Sequence, residues 1–389
     1  MNTTNEFVVH NDVSLSEPPF KRQRTDNSSG DIDSVSNSSN PPIRDEQYYM
    51  ESEGADCVIL VGNVLFKLHR FILCKDSSAF GNMFSLPAGC GVDGLPVPRE
   101  GSSDEDPIVL EEEADHFRAL LWCLYSLPRD LQLHQGPSGD LNLLLKLAVI
   151  THKYHFASTE EWTIDAICSI MSRQSPIWEN SPALAAILGI AVLCDHEPLR
   201  ELVISTWVPR LLSGILPPIP AILAADRYEL PQLQGAAYYA QVLEMDKANT
   251  VFIPPSDREL SRDQLITLLS GHWAMVKQWE CIQNRPISFQ RSTGCTMHTH
   301  GCIATWNAKW NKYARSEKTL RYPSVDVLGR LQCLYEQIVA DEIAIQQLTP
   351  GCRTSALRAL YNLILAQRST LVEFFVDRTR STPGSPESP

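Results

Sequence analysis

Two short apolar runs with a turn between them begin the first strongly patterned part of the chain. Residues 57–61 and 64–68 are mostly apolar, and Gly62-Asn63 separates them, which predicts two strands joined by a tight turn. His69-Arg70 and an apolar helix follow. A further helix is predicted to begin at residues 76–78, and its apolar positions are Phe80, Met83 and Phe84.

Mixed strand and helix patterns continue to about residue 173. A loop rich in Gly, Pro and acidic residues is predicted at 87–107, and a second polar loop at 132–139. Residues 108–110 predict a short strand. The remaining predicted elements are a helix at 116–126 capped by Asp115, a helix at 141–153, and a helix ending at Met171 and capped by Ser158 or Thr159.

The chain from about residue 175 to residue 376 has an almost entirely helical pattern. Its helices are predicted at residues 182–194, 199–212, 232–246, 262–283, 303–316, 325–348 and 354–376. The last two carry apolar stripes at helical spacing and are joined by only residues 349–353. A short loop between two such stripes predicts an antiparallel helical hairpin.

Both ends of the chain are predicted to be disordered. Residues 1–53 and 377–389 are rich in polar residues and proline and have few periodic apolar positions. Lys21-Arg22-Gln23-Arg24 is either a nuclear import signal or a solvated basic patch. The Ser-Pro and Thr-Pro pairs that follow Ser381 are candidate sites for proline-directed kinases.

Charge and cysteine usage limit the class of protein. The 389 residues carry a formal net charge of −13, which argues against direct nucleic-acid binding because phosphate contacts need clustered Lys and Arg. Eleven scattered cysteines without a C-x-x-C pair favour reduced thiols. We find no secretory signal pattern and no apolar run of the roughly 18 residues that a membrane helix needs. We therefore expect an intracellular protein in the nucleus, the cytoplasm or both.

Catalytic motifs are absent from the sequence. It has no G-x-S-x-G elbow, no phosphate-binding G-x-x-x-x-G-K-[ST] loop and no dinucleotide glycine fingerprint. His196-Glu197 begins like a zinc-protease motif, but Arg200 stands where the second histidine belongs. We therefore expect a protein that is not an enzyme and has no organic cofactor.

One short segment gathers residue types that zinc prefers. Cys295, His298, His300 and Cys302 lie within eight residues. One short segment rarely surrounds a tetrahedral ion with four side chains, so two or three of these residues plus a distant group is the more credible ligand set. The alternatives are a structural zinc site and a loop with buried cysteines and surface histidines.

The order of elements at residues 56–84 resembles the first half of a BTB/POZ domain: strand, turn, strand, Phe-x-x-His, helix and Ser-x-x-Phe-x-x-Met-Phe. Residues 106–128 and the Lys153-Tyr154 pair are similar to later elements of that family. The run HKYHFASTEEW at 152–162 resembles fungal BTB proteins, as do segments of the helical region that include YPSVDVLGR. The resemblance implies an α+β BTB/POZ domain, a small sheet with a helical cluster at residues 54–173, followed by an α-helical extension at 175–376.

The resemblance also implies candidate interface residues. In the family, an Asp before the first strand and a basic residue after the His lie near the dimer groove, and Asp56 and Arg70 hold these positions here. Their alternative roles are an ordinary strand-edge residue and a solvated helix-start residue. Four further residues, which belong to either the core or an interface, are Phe71, Phe80, Met83 and Phe84.

The implied function is protein–protein interaction. We expect a BTB-mediated homodimer or heterodimer that acts as a scaffold or adaptor. The family's other roles leave two alternatives, a substrate adaptor of a cullin-based ubiquitin ligase and a nuclear transcription co-regulator that acts through partners. The long loop predicted at 87–107 argues against cullin binding, because cullin-binding members have a compact feature there.

Overall fold

The computed structural model describes residues 41–52, 54–86, 99–136, 138–171, 176–247, 259–341 and 347–375. Internal contacts divide the chain into a unit that ends at Ile170 and a unit that begins at Met171. The basic patch, the kinase-site pairs and most of the loop predicted at 87–107 lie outside the described residues. So do residues 1–40 of the first predicted tail and the whole of the second.

A four-stranded sheet organises the first unit. Its strands are β1 (Ile43–Tyr49), β2 (Cys57–Val61), β3 (Val64–Leu68) and β4 (Ile108–Leu110), in the order β1-β3-β2-β4. Strands β2 and β3 form the predicted antiparallel hairpin, while β1 lies parallel to β3 and β4 lies parallel to β2. The strands predicted at 57–61, 64–68 and 108–110 are confirmed.

Strand β1 corrects the prediction that all of residues 1–53 are disordered. Its sequence, IRDEQYY, is mostly polar and shows no simple apolar alternation. Tertiary contacts supply what the local pattern lacks: Tyr48 is buried, and the buried carboxylate of Asp45 accepts a 2.8 Å hydrogen bond from Arg118. The ordered domain therefore begins before residue 54, because a strand is stabilised by its neighbours as well as by its own propensity.

Six α-helices accompany the sheet among the described residues of the first unit, and the prediction missed one of them. They are α1 (Arg70–Leu73), α2 (Ala79–Ser85), α3 (Ala114–Tyr125), α4 (Pro128–His134), α5 (Leu141–Lys153) and α6 (Ala157–Met171). Helix α4 occupies part of the predicted loop at 132–139. Glu113, rather than Asp115, holds the N-cap position of α3, and Asp115 instead pairs with Arg118 and Lys146.

The cap of α6 comes from a distant part of the chain rather than from Ser158 or Thr159. The carboxylate of Asp76 accepts hydrogen bonds from the backbone N–H groups of Ser158 (3.0 Å) and Thr159 (2.9 Å). Asp76 has a φ of 64°, a left-handed conformation that Asp tolerates better than most residues. This contact links the turn before α2 to the start of α6.

The core of the first unit lies between the sheet and the helices. It is built mainly from the inward faces of β2, β3, α3 and α5, and the Phe66 and Phe117 rings meet edge to face at 5.0 Å. Its largest fully buried side chains include Phe66, Phe80, Phe117, Phe156, Leu68 and Leu120.

The second unit is helical, as predicted. Its helices are α7 (Ser181–Leu193), α8 (Glu197–Leu212), α9 (Ile219–Arg227), α10 (Pro231–Lys247), α11 (Arg262–Asn284), α12 (Ile303–Ala314), α13 (Glu317–Leu320), α14 (Val327–Ala340) and α15 (Pro350–Ser369). The prediction missed α9 within its proline-rich surroundings, and it missed the one-turn α13. Helices α14 and α15 pack together at the predicted hairpin, but α15 begins at Pro350, so most of the predicted connection at 349–353 is helical.

Candidate functional site

Asp56 and Arg70 meet at the start of α1. The Asp56 carboxylate accepts a 2.8 Å hydrogen bond from the Arg70 backbone N–H, and Arg70 Nε donates to the Asp56 carbonyl at 3.2 Å. The guanidinium also lies over the Phe84 ring, 5.1 Å from its centre. Asp56 therefore caps α1, and the two predicted interface residues together fix the position of this helix.

His69, just before α1, is held by Tyr125 at the end of α3. The His69 backbone N–H donates to the Tyr125 hydroxyl at 3.2 Å, and the ring Nδ1 lies 3.0 Å from the same oxygen. The His69 ring also meets the Phe71 ring edge to face at 5.8 Å. The imidazole therefore supports the turn that presents Phe71.

The four apolar residues predicted for core or interface separate into different environments. Phe80 is 2% exposed and stacks on Tyr154 at 4.9 Å, so it belongs to the core. Met83 and Phe84 are partly buried against the same core. Phe71 is 65% exposed, although it lies only nine residues before Phe80. Among these four, Phe71 has the largest apolar surface available to a partner.

Other exposed apolar side chains of the first unit were not predicted from the sequence. Val109 lies on β4 and Ile43 on β1, and both strands are edges of the sheet. Leu86 directly follows α2, which packs against α1. Unpaired strand edges and exposed apolar side chains are both features on which another chain docks. In the sequence, each of these residues is an apolar residue in or beside a short element. Core residues look the same in the sequence, so the pattern could not identify the exposed ones.

A comparison with protein-family models identifies the first unit. The model of the BTB/POZ domain matches residues 46–160. The chain contains a BTB/POZ domain. The match begins within β1 and ends in the first turn of α6, so it covers β2–β4 and α1–α5 in full. The resemblance inferred from residues 56–84 is confirmed, and the chain carries a protein–protein interaction module.

The BTB/POZ match stops before the helical unit. Searches among curated proteins and among solved structures returned no significant match. No helix of the described residues is long and apolar enough to cross a membrane.

The second candidate site is a cluster of cysteines and one histidine in the helical unit. The sulfurs of Cys295 and Cys302 are 3.8 Å apart, and the Cys352 sulfur is 3.4 Å from Nδ1 of His298. One donor atom from each of these four residues lies within 4.8 Å of the other three. Cys295, Cys302 and Cys352 are buried, and His298 is half-buried.

The cluster differs from the predicted set by one residue. His300 is exposed and lies outside the cluster, whereas Cys352 completes it. Residues 298–302 form a π-helical turn that leads into α12, so residues four apart, such as His298 and Cys302, share a face and His300 does not. The expectation of a distant ligand anticipated this arrangement, but no sequence spacing pointed to Cys352, which is 54 residues from His298.

Polar neighbours favour a thiolate at Cys352. Burial opposes its ionisation, but hydrogen bonds from Ser292, Thr349 and His298 outweigh that effect and lower the pKa of the Cys352 thiol to about 5. The Ser292 hydroxyl lies 3.3 Å from the sulfur. Cys352 also lies in the first turn of α15, where the helix dipole favours negative charge. At Cys302, in contrast, burial raises the pKa.

Proposed function

We propose that the BTB/POZ domain joins two copies of this chain and that the resulting dimer acts as a scaffold for other proteins. The observation that carries this proposal is Phe71, which is 65% exposed at the start of α1. Burying a phenylalanine side chain contributes roughly 1.5–3 kcal/mol. The neighbouring Asp56–Arg70 hydrogen bonds hold α1 in place, so Phe71 is presented on a fixed element.

A symmetric pair is the simplest assembly that uses such a surface. In a two-fold dimer each copy contributes the same patch, so one exposed Phe71 supplies two apolar contacts. A stable interface usually buries about 1,200–2,000 Å² in total, which is more than one side chain provides. The exposed Ile43, Leu86 and Val109 are further candidates for the remaining area, and Ile43 and Val109 lie at opposite edges of the sheet.

Co-purification of two differently tagged copies of the full chain tests the proposal. We expect the second copy to be retained with the first, and Phe71→Asp to reduce that retention strongly because it places a charge in the interface. Leu269→Asp is the matched control, since Leu269 is 62% exposed but lies on α11 of the helical unit. Equal retention of Phe71→Asp and the wild type would contradict the role assigned to Phe71.

The cullin adaptor and the nuclear co-regulator remain the alternatives to a plain scaffold. Both act through proteins that bind the BTB/POZ domain or the helical unit. Capture of the full chain from cells of its native organism, followed by identification of the retained proteins, separates them. A retained cullin favours the ligase adaptor, and retained transcription regulators favour the nuclear role.

We also propose that the chain works inside the cell and catalyses no reaction of its own. Cys57, Cys74, Cys123 and Cys281 are among the described cysteines that are free thiols, which suits a reducing compartment. Imaging of the tagged full chain in its native cells tests the compartment. Secretion of the chain would contradict it.

A further inference from the structure

Two distances within the cysteine–histidine cluster match those of a tetrahedral metal site. Zinc–sulfur bonds of about 2.3 Å at tetrahedral angles place two sulfurs about 3.8 Å apart. The Cys295 and Cys302 sulfurs are 3.8 Å apart. A sulfur and an imidazole nitrogen on the same ion lie about 3.5 Å apart. The Cys352 sulfur is 3.4 Å from His298 Nδ1.

Alternative chemistry accounts for the cluster less well. A disulfide needs sulfurs about 2.05 Å apart, much closer than the 3.8 Å between Cys295 and Cys302. A cluster held only by thiol hydrogen bonds would rest on weak donors and acceptors. Three buried sulfurs and one imidazole instead match a Cys₃His ligand set, which is a common one for structural zinc.

Polar groups of the neighbouring backbone and side chains surround the sulfurs of the cluster. The backbone N–H of Ser292 points to the Cys352 sulfur at 3.5 Å, and the Thr349 hydroxyl lies 3.8 Å from the Cys302 sulfur. The Arg291 guanidinium donates to the Cys295 carbonyl at 2.7 Å, which places a positive charge beside the loop. Such outer groups orient the ligand side chains and the loop that carries them, as the second shell of a metal site does.

We propose that Cys295, His298, Cys302 and Cys352 bind one zinc ion in a closed tetrahedral site. With four protein ligands, no position is left for water or substrate, so the site is structural rather than catalytic. Its role is to fasten the segment that leads into α12 to the first turn of α15. This proposal concerns the helical unit and does not depend on dimerisation of the BTB/POZ domain.

The backbone around the cluster allows the segment that leads into α12 to lie close to the first turn of α15. A side chain at Gly351 would overlap Ser292, so glycine permits the close approach of the loop to α15. The Phe289 ring packs edge to face on both His298 (5.2 Å) and Trp306 (5.8 Å), which orients the imidazole from the apolar side. Zinc binding therefore needs little movement of the backbone.

Elemental analysis of the full chain, purified under reducing conditions and freed of any affinity tag, tests the proposal. We expect about one zinc ion per chain. Replacement of zinc by cobalt(II) should give the visible absorption of a tetrahedral ion and charge-transfer bands from the cysteine thiolates. Cys352→Ser and Cys295→Ser should each lower zinc affinity more than about tenfold, since even loss of an outer-shell partner costs that much.

Two variants serve as matched controls. Cys281→Ser removes an exposed cysteine outside the cluster, and His300→Ala removes the exposed histidine between two of the ligands. Both should keep the full zinc content and the cobalt spectrum. Full zinc content in Cys352→Ser would overturn the proposal.

The wild type alone also decides the outcome if the ligand variants fail to fold. Wild-type chain without zinc, and without a tetrahedral cobalt spectrum after reduction and addition of cobalt(II), would overturn the proposal. So would a Cys295–Cys302 disulfide in metal-free protein kept under reducing conditions. Stoichiometric zinc with a thiolate-type cobalt spectrum would support it.

Discussion

The surface around Phe71 and the cysteine–histidine cluster differ in how their polar groups are satisfied. At the start of α1, Asp56 and Arg70 bond to each other and leave an exposed apolar ring beside them. In the cluster, buried donor atoms converge on one another instead. The first arrangement favours a protein partner, and the second favours an ion. The same chain thus carries two binding features that need different tests.

Metal removal should have the largest effect on stability. Structural zinc contributes about 10–16 kcal/mol of binding energy in small zinc domains, so chelation should lower the melting temperature of the helical unit clearly. Thermal unfolding of the full chain, with and without a strong chelator, measures the shift. The Cys352→Ser variant should show no further shift on chelation. If the chelator leaves the melting curve of the wild type unchanged, the cluster does not stabilise the protein through a bound metal.

Truncation of Phe80 and of Phe71 should have very different effects on the free energy of unfolding. Phe80→Ala removes a buried ring and should cost about 3–5 kcal/mol in the free energy of unfolding. Phe71→Ala should change that free energy by no more than about 0.5 kcal/mol in dilute protein, because an exposed side chain packs on little of its own chain. Denaturant unfolding monitored by circular dichroism compares them. Equal costs would mean that Phe71 is a core residue.

Gly271→Ala should destabilise the helical unit by about 1–3 kcal/mol. An added methyl group would overlap the Phe375 ring, which also stacks on Tyr238 at 5.3 Å. Gly81→Ala is the matched control in the BTB/POZ domain, since open space surrounds that position in α2. Alanine there should be neutral or stabilising, because it favours a helix over glycine by about 1 kcal/mol. A loss of stability at Gly81 and none at Gly271 would refute this packing account.

Asp76→Ala should cost about 1–2 kcal/mol, because it removes the cap of α6. Burial tends to raise the pKa of this carboxyl, but hydrogen bonds from Ser158 and Thr159 outweigh it and lower the pKa below its ordinary 3.8. The contribution of Asp76 is therefore full above the ordinary pKa and is lost as the pH falls through the lowered value.

Unfolding of the wild type and Asp76→Ala across acidic pH measures this contribution. The difference between them should shrink in acid. Asp76→Asn should lose less stability than Asp76→Ala, since Asn keeps an acceptor oxygen and tolerates the left-handed backbone. A difference that stays constant with pH would rule out a charged cap.

The pattern of apolar and polar residues correctly predicted those strands and helices that are marked by their own local sequence. Strands β2 and β3 and helix α5 have the predicted bounds, because short apolar runs mark the two strands and apolar residues at helical spacing mark the helix. Strand β1 and the cap of α6 were missed, since both depend on contacts far along the chain, such as Arg118 with Asp45 and Asp76 with Thr159.

The candidate sites show the same limit. Three ligands of the cluster come from one segment and were predicted, but Cys352 meets them only because α15 packs beside that segment. Phe71 and Phe80 occupy similar apolar positions in the sequence, and tertiary packing alone buries one and exposes the other. Sequence patterns identify candidate residues, but the folded chain decides which of them share a site.

The solution mass of the full chain tests the central claim most directly. Light scattering at high micromolar concentration should give twice the 43.6 kDa chain mass, because the BTB/POZ domain is proposed to pair two copies. Phe71→Asp should shift the measured mass toward one chain at the same concentration. A wild-type protein that scatters as a single chain at that concentration would contradict the account.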